Sequence, residues 1–108
     1  MLGERSASVS DRIQGEWETR EVYLASRRLS PSESLAVARH SAHGFGWGDG
    51  GSGAAQLALA LLLRATDRAS AVAHYQAFKW EVIARLPQAD FTLAISTVRD
   101  WLASRSAP

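Results

Sequence analysis

The chain contains no cysteine. That removes a disulfide framework and any thiolate-ligated zinc or iron–sulfur site from consideration. Neither charge is in excess: twelve basic residues stand against eleven acidic ones, a net charge of +1. The balance argues against a DNA mimic, which would be strongly acidic, and against a protein held to nucleic acid by bulk charge; a local basic patch stays open. Long hydrophobic runs are also missing. The most apolar stretch, Ala54 to Leu63, is interrupted only by Gln56 and has about half of the roughly 20 residues that a spanning helix needs. The first residues, MLGERSASVSDRIQGEWE, carry acids and have no apolar centre, so a secretory leader is not expected and a cytoplasmic location is the default. What is present is ordinary: 108 residues, 46% hydrophobic and 21% charged, the makings of one small globular domain with a modest core.

Residues 1–15 are rich in serine, glycine and charge. They read as a flexible arm, at most with a short helix starting at Ser10 or Asp11, and residues 16–105 read as a single domain. From Glu18 to Leu24 the composition suits a strand. Ala25-Ser26-Arg27 reads as a turn, and Arg28-Leu29 as a short returning strand. Residues 34–38 are ambiguous: apolar residues at 35 and 37 favour a third strand, while Ser32 could open a helix of one and a half turns. Ser52 or Gly53 caps a helix over about residues 54–64, apolar nearly all round and therefore central. Asp67 caps another, from about Arg68 to Leu86, in which Val72, Tyr75, Phe78, Val82, Ile83 and Leu86 form one buried stripe, with Pro87 marking the end. Phe91 to Leu93 is a short extended candidate. A last helix, about residues 94–104, lines up Ile95, Val98, Trp101 and Leu102. The expected fold is α+β: a short antiparallel meander of two or three strands packed on three helices, with helix 54–64 buried.

The stretch FGWGDGGSG, Phe45 to Gly53, holds five glycines in nine residues. Gly48 to Gly53 matches G-x-G-x-x-G at the mouth of a helix, and helix-terminal amides attract anions. The dinucleotide fingerprint, however, needs a strand before the glycines and a parallel strand after the helix. Here one helix follows another, and no Gly-Lys-Ser/Thr closes a Walker loop. The favoured reading is a tight corner leading into a buried helix. A residual ligand-binding role falls to Gly50, Gly51, Ser52 and Gly53. His40-x-x-His43, with His74 and Asp49, is too weak a pattern to place a metal. Ser41, Ser52, His40 and Asp49 are chemically capable, but no nucleophile elbow frames them. No catalytic residue, cofactor or metal is expected. Trp101 reads as core, and Trp17 as an anchor for the arm. Partner-contact candidates are Trp80, which lies off the apolar stripe, Trp47, and the strand-side Arg27, Arg28 and Arg39. Arg99 and Arg105 lie on the last helix.

The pattern His40-Ser41-x-x-Gly44-Phe45-x-Trp47-Gly48-x-Gly50-Gly51-Ser52-Gly53-x-Ala55-Gln56-Leu57-Ala58-Leu59-Ala60 resembles a family of small prokaryotic proteins of unknown function, found in bacteria, archaea, plasmids and phages. The likeness continues through Tyr75-Gln76-x-Phe78-Lys79 and Glu81-Val82-Ile83 to Trp101-Leu102. Two departures stand out: Asp49 replaces a common aromatic and Ala54 a proline, and an acid in the loop would repel a phosphate. The resemblance carries over no catalytic residue. It implies a mobile-element setting, in which small proteins often act by binding. The expectation is a small non-enzymatic interaction protein, in its specific form a mobile-element-encoded accessory or anti-defence (anti-CRISPR-like) inhibitor of a larger protein complex. The alternatives are a small-ligand or phosphate-binding domain using the glycine loop, or a nucleic-acid-binding regulator.

Overall fold

The computed structural model describes residues 11–106. The element order is β1 (Arg12–Gly15), β2 (Val22–Leu24), β3 (Arg27–Arg28), α1 (Ser32–Val37), α2 (Ser52–Ala65), α3 (Arg68–Glu81), a 3-10 turn (Ile83–Arg85), β4 (Phe91–Ala94) and α4 (Ile95–Ser106). The fold is α+β, with one four-stranded sheet in the order β3-β2-β1-β4, every pairing antiparallel.

Strand β1 corrects the reading of residues 12–15 as part of an arm. It is an inner strand, pairing Ile13 with Leu24 on one side and with Leu93 on the other. Ile13 and Gly15 are buried while Arg12 and Gln14 are half-buried, the two-residue period of a strand with one face on the core. Gly15 lies opposite Phe91, and a Cβ there would stand 2.1 Å from the Phe91 ring. The close approach of that ring requires glycine. The arm expected for residues 1–10 lies outside the described residues.

Hairpin β2–β3 turns through Ala25 and Ser26, flanked by the pair Leu24 and Arg27. Both turn residues have φ in the left-handed region, 55° and 67°, the signature of a two-residue type I′ turn normally built from asparagine and glycine. The strand expected at 34–38 is instead helix α1. Pro31, with φ −74°, sits at its N-cap position. The Ser34 hydroxyl donates to the Pro31 carbonyl at 2.9 Å and is buried against α2; Ser34 is the helix's fully buried residue, with Val37 packed partly against the core beside it.

Helix α2 is the centre of the molecule. Ala54 through Leu62 are buried without interruption. The side chains of Leu57, Leu59, Leu61 and Leu62, fully buried, contribute on the order of 6–12 kcal/mol before entropy is subtracted, comparable to the net stability of a whole domain. Helix α3 is shorter than the sequence pattern implies: it ends at Val82, whose φ of −124° leaves the helical region, and the chain continues as the 3-10 turn. Its buried face also differs. Val72 is 47% exposed, and Ala71 is fully buried in its place. The small side chain at 71 is the one turned towards the core, while Tyr75, Phe78, Val82, Ile83 and Leu86 keep their places on the buried or partly buried stripe. On α4, Ile95, Val98 and Leu102 are buried and Trp101 packs partly against them. Strands β1 and β4 and helix α1 bring the totals among the described residues to four strands and four helices. Among the described residues, no helix is long and apolar enough to cross a membrane.

Candidate functional site: an arginine-lined groove

The glycine stretch is built as a corner. Gly53, in the first turn of α2, backs onto Gly46: a Cβ at 53 would stand 2.8 Å from the Gly46 nitrogen. Gly48 has φ +81°, donates its N–H to the Ile83 carbonyl at 3.0 Å and accepts from the Gln88 amide. Gly50 lies beneath the Trp80 ring. The Gly51 N–H donates to Oδ1 of Asp49 at 2.9 Å, so the loop's own carboxylate occupies an amide that an anionic ligand would use. Of the loop candidates Gly50, Gly51, Ser52 and Gly53, the Gly51 amide is thus already engaged within the turn into α2.

Trp47 is corrected from contact candidate to core. It is 1% exposed, its indole N–H donates to the Ala89 carbonyl at 2.9 Å, and Trp17 and Phe91 meet it edge-on. Trp17 carries the Arg20 guanidinium 3.4 Å over its ring, while Arg20 also donates to the Trp17 carbonyl. Behind the corner, the buried side chain of Gln56 makes four hydrogen bonds. Its oxygen accepts from the amides of His40 and Ser41, and its nitrogen donates to the Ser34 hydroxyl and the Ala38 carbonyl. That network clamps α1 and the segment after it onto α2. The His40 ring is hydrogen-bonded to the Tyr75 hydroxyl at 2.6 Å, while His43 is exposed. Among the described residues, no three His, Asp or Glu side chains converge as metal ligands.

The arginines do converge. Arg27 and Arg28 of β3, Arg64 in the last turn of α2 and Arg99 of α4 line one groove of about 570 Å³, with Leu24, Leu29 and Ile95 as its aliphatic surface. Arg28 pairs with Glu21 at 3.3 Å and Arg64 with Glu33 at 3.2 Å, both pairs substantially exposed. Such pairs are worth at most about 1 kcal/mol each. Among the described residues, Arg27 and Arg99 have no carboxylate within salt-bridge distance. The groove's one carboxylate, Asp11, accepts from the Ser96 amide and hydroxyl and so holds the first turn of α4. Glu21 is steadied from its other side by the Tyr23 hydroxyl at 2.8 Å. That hydrogen bond to a carboxylate, then burial, raises the Tyr23 pKa and keeps the hydroxyl protonated.

Of the partner candidates read from sequence, the structure brings Arg27 and Arg28 into this groove and leaves Arg39 and Trp80 outside it. Trp80 is 59% exposed, with the Lys79 ammonium 4.2 Å over its ring. It lies by the N-terminal end of α2 and Arg64 by the other end, about 20 Å apart along a 14-residue helix. The two surfaces are separate. Arg105, also on the last helix, pairs with Glu81 at 2.7 Å. Arg64 went unmarked in the sequence reading, and nothing local announces it: its three companions are 35 or more residues away in the chain.

A small α+β protein with a buried central helix and one cationic groove is the class that these features define. The chain belongs to a family of unknown function, DUF6166, whose model matches residues 10–104. No curated protein and no solved structure matches it.

Proposed function

We propose that this protein acts by binding and not by catalysis, recognising an acidic surface of a partner protein through the arginine-lined groove. The observation that carries the reading is the convergence of Arg27, Arg28, Arg64 and Arg99 from three elements onto one concave surface. Guanidinium groups stay protonated and offer forked donors suited to carboxylates. The groove therefore supplies charge and directed hydrogen bonds, and its carboxylate among the described residues, Asp11, is engaged by Ser96. Among the described residues none lining it is aromatic, so they offer no platform on which a nucleobase would stack. The mobile-element inhibitor role expected from the family resemblance is the specific form of this reading, because an inhibitor needs only to occupy an acidic patch on its target.

The test compares capture by the wild-type protein and by R27E/R99E from cells that produce it, with bound proteins quantified by mass spectrometry. The reading expects one partner to be held by the wild type and by W80A and lost by R27E/R99E, at unchanged unfolding midpoint. Equal capture by R27E/R99E refutes the groove as the contact surface. Capture abolished by nuclease treatment would assign the groove to nucleic acid instead.

A further inference from the structure

The groove has a composition as well as a charge. Resting on the reading above, we propose that it docks a short acidic segment bearing one aliphatic anchor. The anchor packs on the half-buried Leu24, above the core residues Leu29 and Ile95, and flanking carboxylates bind the arginines around it.

Three observations specify that occupant. First, the surface is mixed: the half-buried Leu24 offers aliphatic surface over a floor formed by the buried Leu29 and Ile95, while all four arginines are exposed. Aliphatic surface inside and guanidiniums outside match a ligand that is apolar at one point and anionic on both sides of it. A bare phosphate would leave that aliphatic surface unused. Second, the groove's volume of about 570 Å³ lies within the range of about 300–1,000 Å³ typical of small ligands. It suits a few residues of extended chain and is small for a folded domain. Third, the arginines come in two kinds. Arg27 and Arg99 meet an incoming carboxylate directly. Arg28 and Arg64 are already paired to exposed carboxylates, and exchange of such a weakly held partner costs little. All four are arginine and none is lysine, so each can grip a carboxylate with two parallel N–H donors. Two flanking acids are thus bound by Arg27 and Arg99, and further acids compete with Glu21 and Glu33.

The hairpin supports this arrangement. A two-residue turn at Ala25 and Ser26 sets Arg27 directly opposite Leu24, so one tight turn delivers both anchor surface and guanidinium to the same rim.

The test is a fluorescence-anisotropy titration of the full chain. The probe is a labelled synthetic peptide with a central leucine flanked on both sides by aspartate and glutamate. The control peptides carry serine for the leucine, or asparagine and glutamine for the acids. The expected result is saturable binding that falls about ten- to a hundredfold with the serine peptide, the effect of one buried aliphatic side chain. Binding is lost with the amide peptide and with R27Q/R99Q, whose fold is checked by its unfolding midpoint. Equal affinity for the leucine and serine peptides overturns the anchor while leaving an acidic partner in place. No binding of the leucine peptide, with partner capture still dependent on Arg27 and Arg99, overturns this inference alone. Displacement of the peptide by duplex DNA or pyrophosphate, with affinity falling steeply in salt, overturns both this and the reading beneath it.

Discussion

Replacement of Gln56 by leucine would be the most informative single perturbation of the fold. The side chain is fully buried and makes four hydrogen bonds of 2.8–3.0 Å, to His40, Ser41, Ser34 and Ala38. At a net worth of about 0.5–1.5 kcal/mol each, they stabilise the fold by roughly 2–6 kcal/mol. Leucine returns some apolar burial, roughly 1–2 kcal/mol, yet it leaves two amides and a carbonyl without partners at the face of α2, and the Ser34 hydroxyl with only its bond to the Pro31 carbonyl. At mid-range values the first term wins, by about 2.5 kcal/mol. With a urea m-value of about 2 kcal/mol per molar, the unfolding midpoint of Gln56→Leu falls by about 1–2 M. Ser34→Ala removes one partner and leaves the Gln56 nitrogen bonded to Ala38, so its loss is smaller, about 1 kcal/mol. Urea titration followed by far-ultraviolet circular dichroism measures both, and hydrogen exchange at the His40 and Ser41 amides should accelerate in Gln56→Leu. A Gln56→Leu midpoint equal to or above that of the wild type would refute the claim that this network clamps α1 onto α2.

Gly53→Ala places a methyl 2.8 Å from a backbone nitrogen that cannot swing aside. The strain of about 1–3 kcal/mol outweighs the roughly 1 kcal/mol of helix propensity gained, whereas Gly46→Ala meets nothing closer than 3.5 Å. Calorimetry should find a lowered melting temperature only for the former. Ala25→Asn combined with Ser26→Gly relieves two left-handed non-glycine residues and should add about 1–2 kcal/mol, raising the melting temperature by at least about 4 °C; no rise would show the turn to be unstrained. The Asp67 carboxylate accepts from the Ser70 amide at 2.8 Å, which lowers its pKa below the ordinary 3.8. Its stabilisation is therefore complete above that value and lost as pH falls through the depressed folded one. Asp67→Asn should keep the cap at neutral pH and flatten the acid limb of a stability-against-pH curve. Asp11→Asn keeps an acceptor for the Ser96 amide but removes a negative charge from the groove, so the acidic leucine peptide should bind a few-fold more tightly; unchanged affinity would place Asp11 outside the ligand's reach.

Much of the helical half was legible because its signals are local. Asp67 does accept from Ser70, α2 is buried along nine successive residues, and Ile95, Val98 and Leu102 share a face because they recur at helical spacing. What escaped was decided at a distance. Strand β1 has four residues in a serine- and glycine-rich setting, and it is a strand because Leu24 and Leu93 lie on either side of Ile13. Helix α1 was ambiguous because alternation at 35 and 37 resembles a strand, while its determining contact is Ser34 with Gln56, 22 residues on. Val72 is the larger apolar residue beside Ala71, and residue size misled about which of the two turns inward. The groove follows the same logic. Arginines are usually solvated wherever they fall, so only the packing of β3, α2 and α4 reveals that four of them share a rim.

The electrostatics of that rim favour a ligand with several weak charges over one with a single strong charge. Arg64 stands in the last turn of α2, where the helix's partial negative end stabilises a cation but opposes an anion. Across the groove, the first turn of α4 presents its positive end, yet Asp11 already occupies the Ser96 amide there. Neither helix dipole is therefore available to concentrate charge at one point, and attraction rests on guanidiniums carried by three separate elements. A compact phosphate could engage only those within its reach. A flexible acidic chain can place one carboxylate near each arginine, and its aliphatic side chain can fill the space between them. The same geometry makes affinity depend on the spacing of acids around the anchor, so shifting the leucine within an otherwise constant acidic peptide should change binding where total charge does not.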